Sequence, residues 1–285
     1  MDNPATDLNT STHSWDQLKN YRDAELPLWS AALLIARDEY PELDGGALDR
    51  TLDDWCNALH DRIGEPHTLQ ALQTLNRFVF DEQGFAGDDD NYYDPRNSYL
   101  NEVMTRRLGN PISLAVLQLE LARRLGLPMR GVSFPGHFLL RFPLDDGLLI
   151  LDPYHKGRSL DADELRLRAS PHLPGQRIGD EQLGRLLEPA PNRLILMRIL
   201  RNLKQLYVER NDFERALRST DRLLILDPSD SDELRDRGKL YAHIGHGAAA
   251  IADFRQYLER RADAEDAAQI RLWMIELGAG PKRLH

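Results

Sequence analysis

The stretch NPISLAVLQLELARRLGLP, residues 110–128, most restricts how this chain folds. Its apolar residues fall at 112, 114, 115, 116, 117, 119, 121, 122 and 125, around nearly the whole circumference of a helix. A helix apolar on most sides is stable only when other elements wrap it. Asn110 supplies an N-cap, Pro111 suits the first turn, and Gly126 with Pro128 ends the helix.

Amphipathic patterns precede this helix. Residues 15–40, about 47–63 and 68–80 each place apolar side chains at helical spacing. After it the period changes. MRGVSFP (129–135), HFLLRF (137–142) and LLILDPY (148–154) are short, β-branched or aromatic, and separated by Pro-Gly and Asp-Gly turns. They predict an antiparallel meander packed on a buried helix, an α+β arrangement. Between the helical layer and the central helix lies GFAGDDDNYYDPRNS (84–98). Its three consecutive Asp lack the alternating ligands and closing Glu of a calcium loop, so it reads as a solvated loop.

From Asn192 onward only helical pattern remains. A shift of 34 residues lays Tyr207 on Tyr241, Ala216 on Ala250, Leu217 on Ile251 and Leu224 on Leu258, with Asn211 on Gly245. That is the tetratricopeptide period. The expected organisation is a disordered tail over 1–14, an α+β domain over 15–190 and an all-α repeat domain over 191–285. At 285 residues the chain is long enough for two cores.

A net charge of −10 argues against nucleic acid and anionic membranes as partners. The single cysteine, Cys56, excludes an internal disulfide. The polar, acidic start is unlike a signal peptide, and no apolar run reaches a bilayer span, so a cytoplasmic location is expected. No cofactor and no metal site is implied; His155 and His137 alone make a weak metal pair.

Chemistry is expected where the buried helix begins. Ser113 stands in its first turn, His137 opens one strand and Asp152 ends the next. A helix N-terminus facing a His and an Asp is the arrangement of a papain-like triad. The motifs LGLPMRGV, GHFLLRF and LLILDPY resemble a transglutaminase-like core domain. The longer run from LNRFVFDEQGFAGDDDNYYDPRNSYLNEVMTRRLGNPISL through PGHFLLR to DPYHKG resembles the bacterial SirB-one family, in which such a domain precedes tetratricopeptide repeats. The likeness covers roughly residues 25–275. It implies that His137 and Asp152 hold the family's His and Asp positions. Counting back along the family pattern from Gly126, the nucleophilic cysteine falls on Pro111, so the nucleophile is absent.

Two functions follow as expectations. One is a noncatalytic scaffold or regulator that binds a protein or peptide partner through a degenerate cleft and the repeats. The other is a hydrolase or acyl transferase using Ser113, His137 and Asp152. In the first, Asn97, Tyr99, Asn101, Arg107 and Asn110 are the candidate binding residues, with caps and ion pairs as their structural alternative. In the repeats, Asn202, Arg210, Arg237 and Lys239 are candidates for the concave face.

Overall fold

The computed structural model describes residues 14–23, 25–145, 147–175 and 178–278. The tail expected over 1–14 lies, but for Ser14, outside the described residues. The chain divides into two compact units: Tyr21–Leu196 with the residues before Leu18, and Met197–His285 with Leu18–Asn20. The division falls inside one helix.

The first unit begins with α1 (Trp15–Leu18), α2 (Leu28–Glu39), α3 (Gly45–Ile63) and α4 (Leu69–Asn76). Asp44 caps α3 and Thr68 caps α4, each accepting a backbone N–H three residues on. The chain leaves α4 through a π-helical turn, Arg77–Glu82, closed by the Gln83 N–H on the Phe78 carbonyl at 2.8 Å. Then follow β1 (Ala86–Gly87), a 3₁₀ turn at Pro95–Ser98, α5 (Leu100–Arg106) and β2 (Leu108–Gly109). β1 and β2 form a two-stranded parallel ribbon, and β1 lies in the stretch 84–98 that the sequence presents as loop.

Helix α6 (Pro111–Arg124) is the buried helix anticipated, with Ile112 through Gln118 all inaccessible. It packs against α2, α3, α5 and strands β3 (Arg130–Val132) and β4 (Leu139–Leu144). Its exit is set by Gly126 at φ +72°, with the Leu127 N–H on the Ala122 carbonyl at 2.8 Å. Arg124 ties this end to α3 through Asp49 at 2.6 Å and Asp53 at 2.5 Å.

The sheet runs β3-β4-β5-β6, all antiparallel, with β5 at Gly147–Asp152 and β6 at Arg158–Leu160. The meander is as expected, but with a fourth strand after the DPYHKG turn. His137 does not open a strand. The turn at Pro135-Gly136 is followed by two residues of irregular backbone, and β4 begins at Leu139. Helices α7 (Ala162–Ala169) and α8 (Asp180–Leu186) close the unit. Leu165, Ala169 and Leu183 share a core with Val132, Leu139, Ile150 and Leu160 of the sheet.

The second unit holds the rest of α9 (Asn192–Glu209), then α10 (Phe213–Leu226), α11 (Ser231–His243), α12 (Gly247–Arg260) and α13 (Ala267–Gly278). The 34-residue periodicity extends to the hydrogen bonds. Asp212 N–H donates to the Tyr207 carbonyl at 2.8 Å, and His246 N–H to Tyr241 at 2.8 Å. Asn211 and Gly245 both take left-handed backbone, at φ +58° and +79°. Ala216 and Ala250 are fully buried, as close helix crossings require. At Gly238 the approach is closer still: a Cβ there would lie 2.5 Å from the Phe254 ring.

Candidate functional site

The head of α6 is a closed knot of hydrogen bonds. Asn110 accepts the backbone N–H groups of Ile112 and Ser113 through its side-chain oxygen, at 3.0 and 2.9 Å. The Ser113 hydroxyl accepts the Asn110 N–H at 3.0 Å, completing a reciprocal cap. That hydroxyl also donates to the Asn97 carbonyl at 2.6 Å. Ser113 is buried, and Gly109 has no side chain because a Cβ there would lie 2.7 Å from the Ser113 oxygen. The hydroxyl's contacts are thus backbone groups, and its role in this geometry is to join α6 to the preceding loop.

Asn97 is the second member of the knot. Buried, it donates through its amide to the Asn91 carbonyl at 2.8 Å and accepts Arg106 at 3.0 Å. Arg106 reaches on to the buried Asp88 carboxylate at 2.7 Å, and Asp88 accepts the Asn91 N–H at 3.0 Å. The acidic loop is therefore not simply solvated. Its first Asp is interior and ion-paired. Asn110 completes the ring with its amide on Ser98 at 2.8 Å.

The remaining expected residues lie around this knot. Tyr99 is buried with its ring edge-on to Tyr40, centroids 5.6 Å apart. Asn101 has a buried side-chain oxygen without a hydrogen-bond partner. Arg107 ends α5 in left-handed backbone, φ +61°, which turns its side chain away from the Asp-rich loop. Its guanidinium stacks on Phe85 and Trp55, 4.6 and 5.0 Å from the ring centroids, with Nη1 buried and unbonded. Burial alone draws its pKa down. Neighbouring Arg106, which the sequence did not single out, makes the ion pair instead.

The pairing expected between His137 and Asp152 is corrected. The imidazole on the Asp152 carboxylate is that of His155, with Nδ1 2.8 Å from Oδ2. Arg168 of α7 donates to the same oxygen at 2.7 Å. The other oxygen accepts the Tyr154 and His155 backbone N–H groups at 3.1 and 3.3 Å. The carboxylate begins a tight turn and so selects the imidazole three residues on. His137, half-buried, lies in the Pro-Gly turn with its N–H on the Phe134 carbonyl. The Asp-Pro-Tyr-His spacing was the signal for His155, and an arginine in α7 was the signal for nothing until the fold returned it to β5.

Burial pushes the Asp152 pKa up, but hydrogen bonds from Arg168 and His155 outweigh it and hold the group below its ordinary value of 3.8. A depressed carboxylate contributes stability that is fully present above 3.8 and is lost as pH falls through the lower folded value. Asp152→Asn should therefore flatten the acid limb of melting temperature against pH as pH falls below the ordinary value of 3.8. Parallel limbs in the two proteins would show that the carboxylate is not the source.

Cys56 lies on α3, against the far end of α6 from Ser113. Burial pushes its thiol pKa up to about 11, so the thiolate is scarce near neutrality. Its charged neighbours include Glu120, Arg123 and Arg124 at the C-terminal end of α6. Seven residues or more of helix, about 10 Å, separate these from Ser113.

This fold and site define a class: a transglutaminase-like α+β unit followed by tetratricopeptide-type helices. Residues 47–201 match the transglutaminase-like superfamily, and residues 203–274 match the tetratricopeptide repeat. The chain belongs to the UPF0162 family. A UPF0162 protein of Xylella fastidiosa is 49% identical over 265 residues, 92% of this chain and 94% of that protein. One of Pseudomonas aeruginosa is 37% identical over 81% of this chain and 83% of its own. The Protein SirB1 of Salmonella typhimurium is 29% identical over 67% of this chain and 70% of its own, bearing out the SirB-one resemblance. No solved structure matches.

Proposed function

We propose that this chain is a noncatalytic protein-binding scaffold, acting in the cytoplasm. In it the transglutaminase-like unit has exchanged a nucleophile for a structural cap, and the repeats engage a protein or peptide segment. The observation that carries the reading is the Ser113 hydroxyl, buried and 2.6 Å from the Asn97 carbonyl. A serine nucleophile needs a base in contact with its hydroxyl, and this hydroxyl donates to a peptide carbonyl. The rearrangement needed to free it would undo the cap of α6. Among the described residues no helix is long and apolar enough to cross a membrane.

In the repeats, Arg237 is committed to Asp253 and Asp221, at 2.7 and 3.0 Å, and Lys239 sits 3.7 Å from Asp236. They serve the second unit's own structure. Asn202, exposed on α9, is better placed to meet a partner, and Arg210 is exposed just beyond the same helix. Repeat helices of this type bind extended segments through polar face residues.

Affinity capture from native extract with the full chain tests the proposal. The scaffold reading expects a specific partner that is lost on Asn202→Glu with the melting temperature retained. Capture unchanged by Asn202→Glu and Arg210→Glu together would contradict binding through this face.

A further inference from the structure

The loop that Asp88 and Asn97 anchor displays an unusual surface. Tyr92 and Tyr93 are 45% and 67% exposed, although their backbone is held from beneath. Asn97 donates to the Asn91 carbonyl at 2.8 Å and to the Tyr92 carbonyl at 3.4 Å. The rings continue one another. Tyr92 meets Tyr93 at 5.0 Å and Tyr154 at 5.6 Å, and Tyr154 meets His155 at 5.4 Å, all edge to face.

Tyr154 is fixed on two sides. Its ring lies so close over Gly87 that a Cβ there would be 2.5 Å away, and the Tyr92 ring packs edge-on against it. His155 is pinned by Asp152 with its side chain 59% exposed. Asp89 and Asp90, both exposed, lie on the loop that carries Tyr92 and Tyr93. The result is an aromatic ledge on an anchored backbone, with acidic residues on the same loop.

We propose that this ledge binds a basic peptide segment, seating an arginine or lysine side chain against Tyr92, Tyr93 and Tyr154 with Asp89 and Asp90 beside it. Charge complementarity selects this occupant. Aromatic faces attract cations, carboxylates beside them add to the attraction, and the chain's net charge of −10 steers a cation in. An anionic or purely apolar segment would meet carboxylates with no compensating charge. A backbone already anchored lowers the ordering cost of binding. Lys156, exposed on the same turn, is the opposing charge.

The inference rests on the reading that this chain binds protein, but it concerns a different face from the repeats. The probe is a fluorescein-labelled tetra-arginine peptide titrated into the full chain at low salt and followed by anisotropy. Tyr92→Ser with Tyr93→Ser should weaken binding about fivefold or more, two exposed cation–π contacts together. These changes leave the net charge intact. Asp89→Asn with Asp90→Asn should also weaken it, and Lys156→Glu should strengthen it. Asn202→Glu should bind the probe as the parent does, so a failure at the repeats is distinguishable from a failure at the ledge. Parent-like affinity in the double tyrosine variant, with circular dichroism unchanged, would mean that net charge alone attracts the peptide and would overturn the assignment. So would equal binding of a tetra-glutamate peptide.

Discussion

Replacing Arg106 by alanine destabilises the first unit by about 3–5 kcal/mol, the range for stripping one partner from a buried ion pair. Asp88 is inaccessible and its outer oxygen rests on the Arg106 guanidinium at 2.7 Å. Without the guanidinium the carboxylate is left buried without its ion-pair partner, and the Asn97 side-chain oxygen loses its donor as well. The loss spreads because Asn97 also supplies the carbonyl that receives Ser113. Arg106→Lys should recover part of the loss, since one ammonium can reach one of the two acceptors but cannot fork between them. Urea unfolding of the three proteins measures this. An alanine variant within 1 kcal/mol of the parent, an order-of-magnitude margin of about one ordinary hydrogen bond, would mean the pair is not part of the support.

Phe254→Ala should cost the second unit about 3–5 kcal/mol, as full removal of a buried aromatic ring does. The ring is fully inaccessible, lies on the bare backbone of Gly238 and has its centroid 6.1 Å from that of Trp273. Leu234, Ala250, Tyr257 and Ile270 complete the cluster. The backbone of Gly238 cannot follow the ring inward without bending α11, so the cavity persists. Thermal unfolding by circular dichroism reads the loss, and Phe254→Leu should return more than half of it. A parent-like melting curve for the alanine variant would show that the cluster is not the unit's core.

The same local rules explain what the sequence made readable. Asn110, Pro111 and Gly126 bound α6 through contacts within a few residues, so the pattern named its start and end. The repeats were readable because Asn211 and Gly245, or Ala216 and Ala250, solve the same steric problem twice. What escaped was non-local or very short. β1 and β2 are two residues each and are held by pairing Ala86 with Leu108 and Gly87 with Gly109. β6 is three residues defined by its partner β5.

At the site, Asn97, Asn110 and Ser113, read from the sequence as binding or catalytic candidates, lie together at the head of α6. Their hydrogen bonds join backbone groups, the Ser98 hydroxyl and the Arg106 guanidinium into one structural network. Arg106 and Arg107 are adjacent, yet the left-handed residue between α5 and β2 sends them to opposite partners, a carboxylate and two aromatic rings. Sequence adjacency gives no hint of that choice. His137 and His155 were separated in the same way. Only the turn at Asp152 fixes which imidazole the carboxylate meets.

The central claim is that the head of α6 holds a structural hydroxyl in place of a nucleophile. Intact-mass spectrometry of the full chain after prolonged exposure to a fluorophosphonate tests it most directly. The predicted spectrum is that of the unmodified protein, identical for the parent and Ser113→Ala. A phosphonyl adduct mapped to Ser113, and abolished by His137→Ala or His155→Ala, would contradict it.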